Sequence, residues 1–480
     1  MMYFQRQKHK PENLLRHCCT ALARCVAAPV CALVLARCAS LPDNQRWAEV
    51  PGTQPVEFES ARGVVADYQG GIILDALKDK SGAIDILQKH LAVEQAINAD
   101  TPLVLDNKLV LLQDGPATYK AMFAAMRAAR DHINLETYIF NDDEVGTQFT
   151  DILLERQAAG IQVNLIYDSV GNLGTPREFF KRLSAGGIQV LEFNPVNPLA
   201  GNKKEWLLNN RDHRKLLIVD GRVAFLGGIN ISESYSSSPF YGSGKKDGKF
   251  TTGWRDTHLQ IEGPAVAKLQ TLFMETWTKQ RGKHLAEKNY FPVLPRQGTE
   301  IVRVIGSSFS DPHSLIYLTL LSAIGNAEQR VYLTNAYFAP DPALLAAMTE
   351  AARRNVDVRL ILPSQTDSWA VFHAGRSHYT ELQRAGIRIY ERHGTVMHSK
   401  TAVIDSVWST IGSTNLDWQS FLHNDELNAV VIGRHFAGEM EAMFAKDLAE
   451  SSEILLKKWK RRSFQLRVQE WLARLAEYWL

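Results

Sequence analysis

The chain has 480 residues, 45% of them hydrophobic and 22% charged, with a formal net charge of only +2. That length holds two domains with cores of their own, and the composition is globular. A near-neutral chain does not bind nucleic acid through its overall charge, so an anionic partner has to be met by a local patch.

All five cysteines (Cys18, Cys19, Cys25, Cys31 and Cys38) precede residue 39, which excludes a disulfide scaffold or a Cys-based metal site in the body. In the same stretch Arg6, Lys8, Lys10, Arg16 and Arg24 lead into an apolar run, Cys25 to Ala36, that is too short to span a bilayer comfortably. Residues 1–42 therefore read as a membrane-targeting segment. The end of the run, Leu35-Ala36-Arg37-Cys38-Ala39-Ser40, resembles a bacterial lipoprotein signal, in which Cys38 is lipidated, with Arg37 where that signal has a small residue. An uncleaved weak anchor is the alternative, and both put the protein at a membrane. Residues 43–104 form an N-terminal extension with little readable chemistry.

After that the chain repeats itself, over 105–295 and 296–450. The first copy predicts a helix from Ala117 to Arg130, a strand from Ile133 to Phe140, a helix from Val145 to Ala159 and a strand from Ile161 to Asp168. The second predicts the same order: a helix from Pro312 to Ile324, a strand from Val331 to Phe338, a helix from Pro342 to about Arg354 and a strand from Val356 to Leu362. Alternating strands and helices predict an α/β fold with a mostly parallel or mixed sheet covered by helices. A Ser/Gly/Lys-rich insertion at about 233–253 in the first copy reads as a mobile surface loop.

Each copy closes on the same motif. His213-x-Lys215-x4-Asp220 is followed by Gly227-Gly228-Ile229-Asn230, and His398-x-Lys400-x4-Asp405 by Gly412-Ser413-Thr414-Asn415, at the same spacing. A single such motif is weak, because the chain has 14 histidines. Two at equal spacing inside a repeat are not. Residues two apart in a strand share a face, so His and Lys point the same way, and the apolar residues that follow anchor the strand. Brought together, the two motifs surround one anion with two imidazoles and two ammonium groups, a set suited to phosphodiester chemistry. The lysines neutralise the non-bridging oxygens, one neutral imidazole attacks phosphorus, and the other protonates the leaving oxygen. Asn230 and Asn415 add neutral donors, and Asp256 and Glu426, aligned by the repeat, are the carboxylates expected behind the imidazoles. Asp220 and Asp405 are expected to support the motif backbone and the lysines. No metal or cofactor is expected.

The last stretch, 451–480, predicts a basic amphipathic helix. Lys457, Lys458, Lys460, Arg461, Arg462, Arg467 and Arg474 interleave with Trp459, Phe464, Val468, Trp471, Leu472, Leu475, Tyr478 and Trp479. It reads as an element for an anionic membrane surface; the alternative is a helix packing its apolar face on the protein.

The duplicated motifs resemble the phospholipase D superfamily. Leu135-Glu136-Thr137-Tyr138-Ile139-Phe140, Asn335-Ala336-Tyr337-Phe338-Ala339-Pro340 and Gly412-Ser413-Thr414-Asn415-Leu416-Asp417 with Asn424 and Glu426 look most like bacterial cardiolipin synthases. The resemblance implies two tandem phospholipase D-like α/β halves packed with pseudo-twofold symmetry around one shared active site. It implies His213 as nucleophile and His398 as general acid/base, and phosphatidyl transfer between two phosphatidylglycerol molecules with release of glycerol. Gly228, where the second copy has Ser413, departs from the pattern and makes any serine contribution one-sided. Expected partners are the phospholipid substrate and the membrane, not nucleic acid, with the inner membrane and its periplasmic side as the expected place. A phospholipase D-type hydrolase or a metal-independent nuclease is the alternative within the superfamily, and an inactive membrane scaffold the one outside it.

Overall fold

A computed structural model describes residues 56–81, 84–98, 100–197, 209–236, 245–246, 249–250, 253–310 and 314–480. The targeting segment expected over 1–42 and much of the insertion at 233–253 lie outside them.

The strands that carry the site are β1 (Leu103–Gln113), β2 (His132–Thr137), β3 (Gln162–Asp168), β4 (Gln189–Phe193), β5 (Lys215–Val219), β6 (Val223–Gly227) and β7 (Thr257–Glu262) in the first half. Their counterparts are β8 (Glu300–Ser307), β9 (Arg330–Asn335), β10 (Asp357–Pro363), β11 (Arg388–Arg392), β12 (Lys400–Ile404), β13 (Trp408–Gly412) and β14 (Asn424–Ile432). They hydrogen-bond in the order β4-β3-β2-β5-β6-β7-β1 and then β8-β14-β13-β12-β9-β10-β11. Antiparallel pairing of β1 with β8 joins the two runs. From that seam outward each half repeats one order, which is the pseudo-twofold plan. The sheet is mixed, with β2-β3-β4 and β9-β10-β11 parallel and the ladders around the motif strands antiparallel.

The motif strands are anchored as the sequence leads one to expect. Leu216, Leu217, Ile218 and Val219 in β5, and Ala402, Val403 and Ile404 in β12, are all buried. Each large apolar side chain so buried contributes about 1.5–3 kcal/mol. One core, against helices Val266–Lys279 and Arg434–Ala449, draws Leu216, Leu226 and Leu259 from one half and Val403, Ile411 and Leu427 from the other. This shared apolar layer holds the halves at a fixed angle under the site.

Helices begin where side chains cap them. Asp143 accepts from Gly146 N at the start of Glu144–Ala158, and Asp341 caps Pro342–Arg353, with proline in the first turn. The strand predicted to reach Phe140 stops at Thr137. Beyond it the amides of Ile139 and Phe140 are taken by the side chains of Asn230 and Asn172 instead of a ladder, so the chain turns off the sheet toward the site.

The extension ahead of the repeat braces the second half. Helix Ile84–Ile97 places His90 Nε2 3.0 Å from Asp405 Oδ2, and its Glu94 accepts from Trp408 Nε1 at 3.0 Å. At the other end, helix Phe464–Leu475 seats Glu470 and Ala473 and leans on helix Trp369–Ser377. Among the described residues no helix is long and apolar enough to cross a membrane.

Candidate active site

Each motif histidine lies just ahead of its strand rather than within it, on a segment paired with the other half. Arg211–Asp212 runs parallel to Asn424–Asp425, and His213 N donates to Asp425 O at 2.9 Å. In the mirror arrangement Arg255 bridges Met397, and His398 N donates to Arg255 O at 2.8 Å. The next residues on the partner segments are Glu426 and Asp256. The carboxylates are thereby exchanged between halves. His213 Nδ1 lies 3.0 Å and 3.1 Å from the two oxygens of Glu426, and His398 Nδ1 lies 2.8 Å from Asp256 Oδ2.

Both lysines curl back so that Nζ donates to the carbonyl of their own motif histidine. All four motif side chains are buried, between 3% and 6% exposed. They also act on one another. Burial, opposed by Glu426 and assisted by Lys400, lowers Lys215 to about 7. Burial, opposed by Asp256 and Glu426, lowers Lys400 to about 8. His213 is lowered by burial against the pull of Glu426, while burial, Lys400, Lys215 and His213 together push His398 well below its ordinary value. This mutual influence marks one site rather than two.

The carboxylates differ. Burial pushes Glu426 upward, but His213, Lys215 and the Ser413 hydroxyl hold it at about 2. Ser413 Oγ donates to Glu426 Oε2 and accepts from Leu427 N at 3.0 Å, and Asn424 Nδ2 donates to Glu426 Oε1 at 3.1 Å. Asp256 is raised by burial to about 6, with Lys400 opposing. Its neighbour is Gly228, where a Cβ would come within 2.2 Å of Asp256 Oδ1. The shorter acid in the first half thus requires the glycine, and the longer acid in the second is met by a serine.

Asp220 and Asp405 do not reach the lysines. They sit at the far ends of β5 and β12, five residues on from each lysine, or roughly 17 Å along a strand. Asp220 accepts from the amides of Arg130, Asp131 and His132, and Asp405 from those of Glu328, Gln329 and Arg330. They tie down the start of the neighbouring strands β2 and β9, so the expected support of the lysines is absent. Asn230 is buried, with Nδ2 3.2 Å from Tyr235 Oη and Oδ1 taking the Ile139 amide. Asn415 is buried too, and its Oδ1 has no hydrogen-bond partner among the described residues.

Aromatic rings wall the cluster. The Tyr138 ring packs 5.0 Å from His213, and Lys215 Nζ lies 5.1 Å over it. His398 is flanked by Trp254 at 5.2 Å, Tyr235 at 5.8 Å and Tyr337 at 6.1 Å between ring centroids, and Tyr235 Oη lies 3.2 Å from its Nδ1. Tyr337 in turn donates to Asp367 at 2.6 Å. The motifs do not reveal Tyr235, Trp254 and Asp367. Tyr235 lies near the start of the Ser/Gly/Lys-rich insertion and Trp254 just beyond its end, and only their aromatic character there signals a role.

The arrangement offers an anion two cations, two imidazoles with a carboxylate behind each, and a largely dry wall. The model of a family described as "Cardiolipin synthase, PLD-like domain" matches residues 122–238 and 320–448, which include both motifs. A cardiolipin synthase of Geobacillus kaustophilus (strain HTA426) is 33% identical over 377 residues, 78% of this chain and 72% of that protein. Cardiolipin synthase A of Pseudomonas aeruginosa (strain LESB58) is 36% identical over 357 residues, 74% of this chain and 69% of that one. In fold, the chain is similar to the phosphatidylserine synthase of Haemophilus influenzae Rd KW20, with a TM-score of 0.58 at 10% identity over 81% of this chain and all of the other.

Proposed function

The chain belongs to the cardiolipin synthase family of phospholipase D-like proteins, and from that premise we propose that it transfers a phosphatidyl group between two phosphatidylglycerol molecules through a phosphohistidine. The observation that carries this reading is the exchanged pair of dyads, His213–Glu426 and His398–Asp256, with Lys215 and Lys400 in the same buried cluster.

A firmly ionised Glu426 keeps the proton of His213 on Nδ1 and leaves the Nε2 lone pair for phosphorus. As the N–P bond forms, the P–O bond to glycerol breaks, and His398 gives its proton to the leaving oxygen. A hydroxyl of the second phosphatidylglycerol then attacks, its proton passes to His398, the new O–P bond forms and the N–P bond breaks. Bound phosphate raises the proton affinity of the lowered lysines and of His398, so both lysines are charged and His398 carries the proton it donates when the pentacoordinate centre develops. His398 suits the exchanging role, because its Nδ1 faces an anion, Asp256, and also two donors, Lys400 Nζ at 3.0 Å and the Tyr235 hydroxyl. A proton at that position has alternatives that the one on His213 lacks.

The site works at a membrane. Segment 1–42 delivers the chain to the inner membrane with the halves, 105–295 and 296–450, on the periplasmic side, and the C-terminal helix lies against the lipid surface. The outward apolar face of that helix supports this: Phe464, Trp471 and Leu475 are 79%, 59% and 66% exposed. Mass spectrometry of the mature N-terminus tests the delivery, with lipidated Cys38 as the expected first residue. For the reaction, purified protein given phosphatidylglycerol as the sole lipid yields cardiolipin and glycerol. Phosphatidic acid as the only product overturns the synthase reading in favour of a hydrolase.

A further inference from the structure

Away from the catalytic cluster, two helices of the second half and the C-terminal helix converge on a cleft of about 510 Å³. Arg353 closes helix Pro342–Arg353, Arg384 closes helix Tyr379–Arg384 and Arg474 lies in the last turn of helix Phe464–Leu475. The three guanidinium groups line the cleft with the hydroxyl-bearing Thr349, Ser377 and Thr380. All three arginines are exposed, and none has a side-chain hydrogen bond or an ion pair among the described residues. The acid lining the cleft, Glu381, is not within ion-pair distance of them. Several other arginines of this region are paired, among them Arg376 with Glu391, Arg388 with Glu453 and Arg462 with Glu470. Three unpaired cations around one concavity repel one another, and an anion with several acceptor oxygens relieves that repulsion.

The helix carrying Arg474 supplies the second observation. Its buried positions, Glu470 and Ala473, lie on one side, and Phe464, Val468, Trp471, Leu472 and Leu475 form an exposed stripe on the opposite side. Arg467 and Arg474 lie on the flank between the two. An apolar stripe edged by guanidinium groups fits the boundary of a bilayer, with acyl chains against the stripe and phosphates level with the arginines. Exposed Lys457, Lys458, Lys460 and Arg461 on the preceding segment carry the same sign.

We propose that the Arg353–Arg384–Arg474 cleft is a second, non-catalytic site that binds the phosphate of an anionic phospholipid in the bilayer beneath the outward stripe of helix Phe464–Leu475. It rests on the membrane reading above and gives it a residue-level site. Helix Trp369–Ser377, which packs on the C-terminal helix, begins two residues after Asp367 and brings Ser377 to the cleft, so about 13 Å of helix separates the lipid site from the Tyr337 wall of His398. A lipid held there fixes the mouth of the catalytic cluster against the surface that supplies its substrate.

The test uses the full chain carrying Cys38→Ser, so that no N-terminal lipid floats it, and flotation with phosphatidylcholine vesicles, with or without phosphatidylserine. This parent chain is expected to float with the phosphatidylserine vesicles, and the R353Q/R384Q/R474Q triple to lose about a hundredfold in affinity, or roughly fivefold per charge. K457Q/K458Q/K460Q is the matched control and is expected to lose much less. L475S with W471S is expected to abolish flotation on both vesicle types, and turnover of a dispersed short-chain phosphatidyl donor is expected to be unchanged in every variant. Equal losses in the two charge triples would reduce the cleft to diffuse electrostatics and overturn the proposal. Full displacement of vesicles by millimolar inorganic phosphate, or cleft-dependent binding of duplex DNA in place of vesicles, would do the same by assigning a soluble or nucleic-acid ligand. An inactive parent chain that still floats through the cleft would sink the reaction reading and leave the lipid site standing.

Discussion

At His213 the acid is a glutamate that also takes the Ser413 hydroxyl and the Asn424 amide. At His398 it is an aspartate pressed against Gly228, with Lys400 and Tyr235 competing for the same ring nitrogen. The backbone plan of the two halves is the same and the charge balance is not: Glu426 is held at about 2 and Asp256 is raised to about 6. A repeat can therefore keep its fold while its copies diverge in chemistry, and here the divergence is one methylene and one hydroxyl. It supports the proposed role of His213 as nucleophile, because a fixed anion fixes the tautomer.

The largest effect that can break this comparison comes from the histidines. With a donor whose leaving group needs no protonation, His398→Asn is expected to accumulate an acid-labile phosphoenzyme, seen by intact-protein mass, whereas His213→Asn forms none. Both lose about 10³-fold or more in overall transfer. Accumulation in the His213 variant instead would exchange the roles. Next come the acids. Glu426→Gln removes the anion that fixes the His213 tautomer and is expected to cost on the order of 10³-fold in kcat, against about tenfold for Asp256→Asn. Equal losses would mean that the two dyads are chemically equivalent.

The lysines give a smaller, pH-resolved difference. A cation with a lowered proton affinity is lost as pH rises through its value, so kcat/KM for an anionic donor is expected to fall through about 7 and again through about 8. Lys215→Arg, charged throughout, is expected to remove the lower limb and keep the upper. In kcat both limbs move up, because bound phosphate favours the protonated lysines. The smallest effect is expected from Ser413→Ala: one hydrogen bond to Glu426 is lost, lowering kcat about fivefold and raising the proton affinity of the acid. Gly228→Ser does not reproduce that bond in the first half, because the new Cβ meets the Asp256 carboxylate.

Much of this was legible in the residues. The repeat and the paired motifs show the α/β halves, and alignment of the copies picks out Asp256 and Glu426. Their exchange between halves was not, since it depends on Arg211–Asp212 pairing with Asn424–Asp425, a contact between residues more than two hundred positions apart. Asp220 and Asp405 look like site residues because they belong to the motif, although the length of a five-residue strand already carries them away from the lysines. Tyr235 lies within, and Trp254 directly after, a stretch whose composition suggests only a surface loop. The amphipathy of the tail is plain in its spacing, but which way the apolar stripe faces depends on Ala473 and Glu470 taking the inner positions.

The exchanged carboxylates make turnover a bimolecular property if the halves are supplied as separate polypeptides. Neither piece holds the acid for its own imidazole, so activity in a mixture falls on dilution more steeply than the protein does. A twin supplies a different acid: two first halves would set His213 against the shorter Asp256, and two second halves would set His398 against the longer Glu426. Joined in one chain, the unlike halves have a fixed one-to-one stoichiometry at infinite dilution.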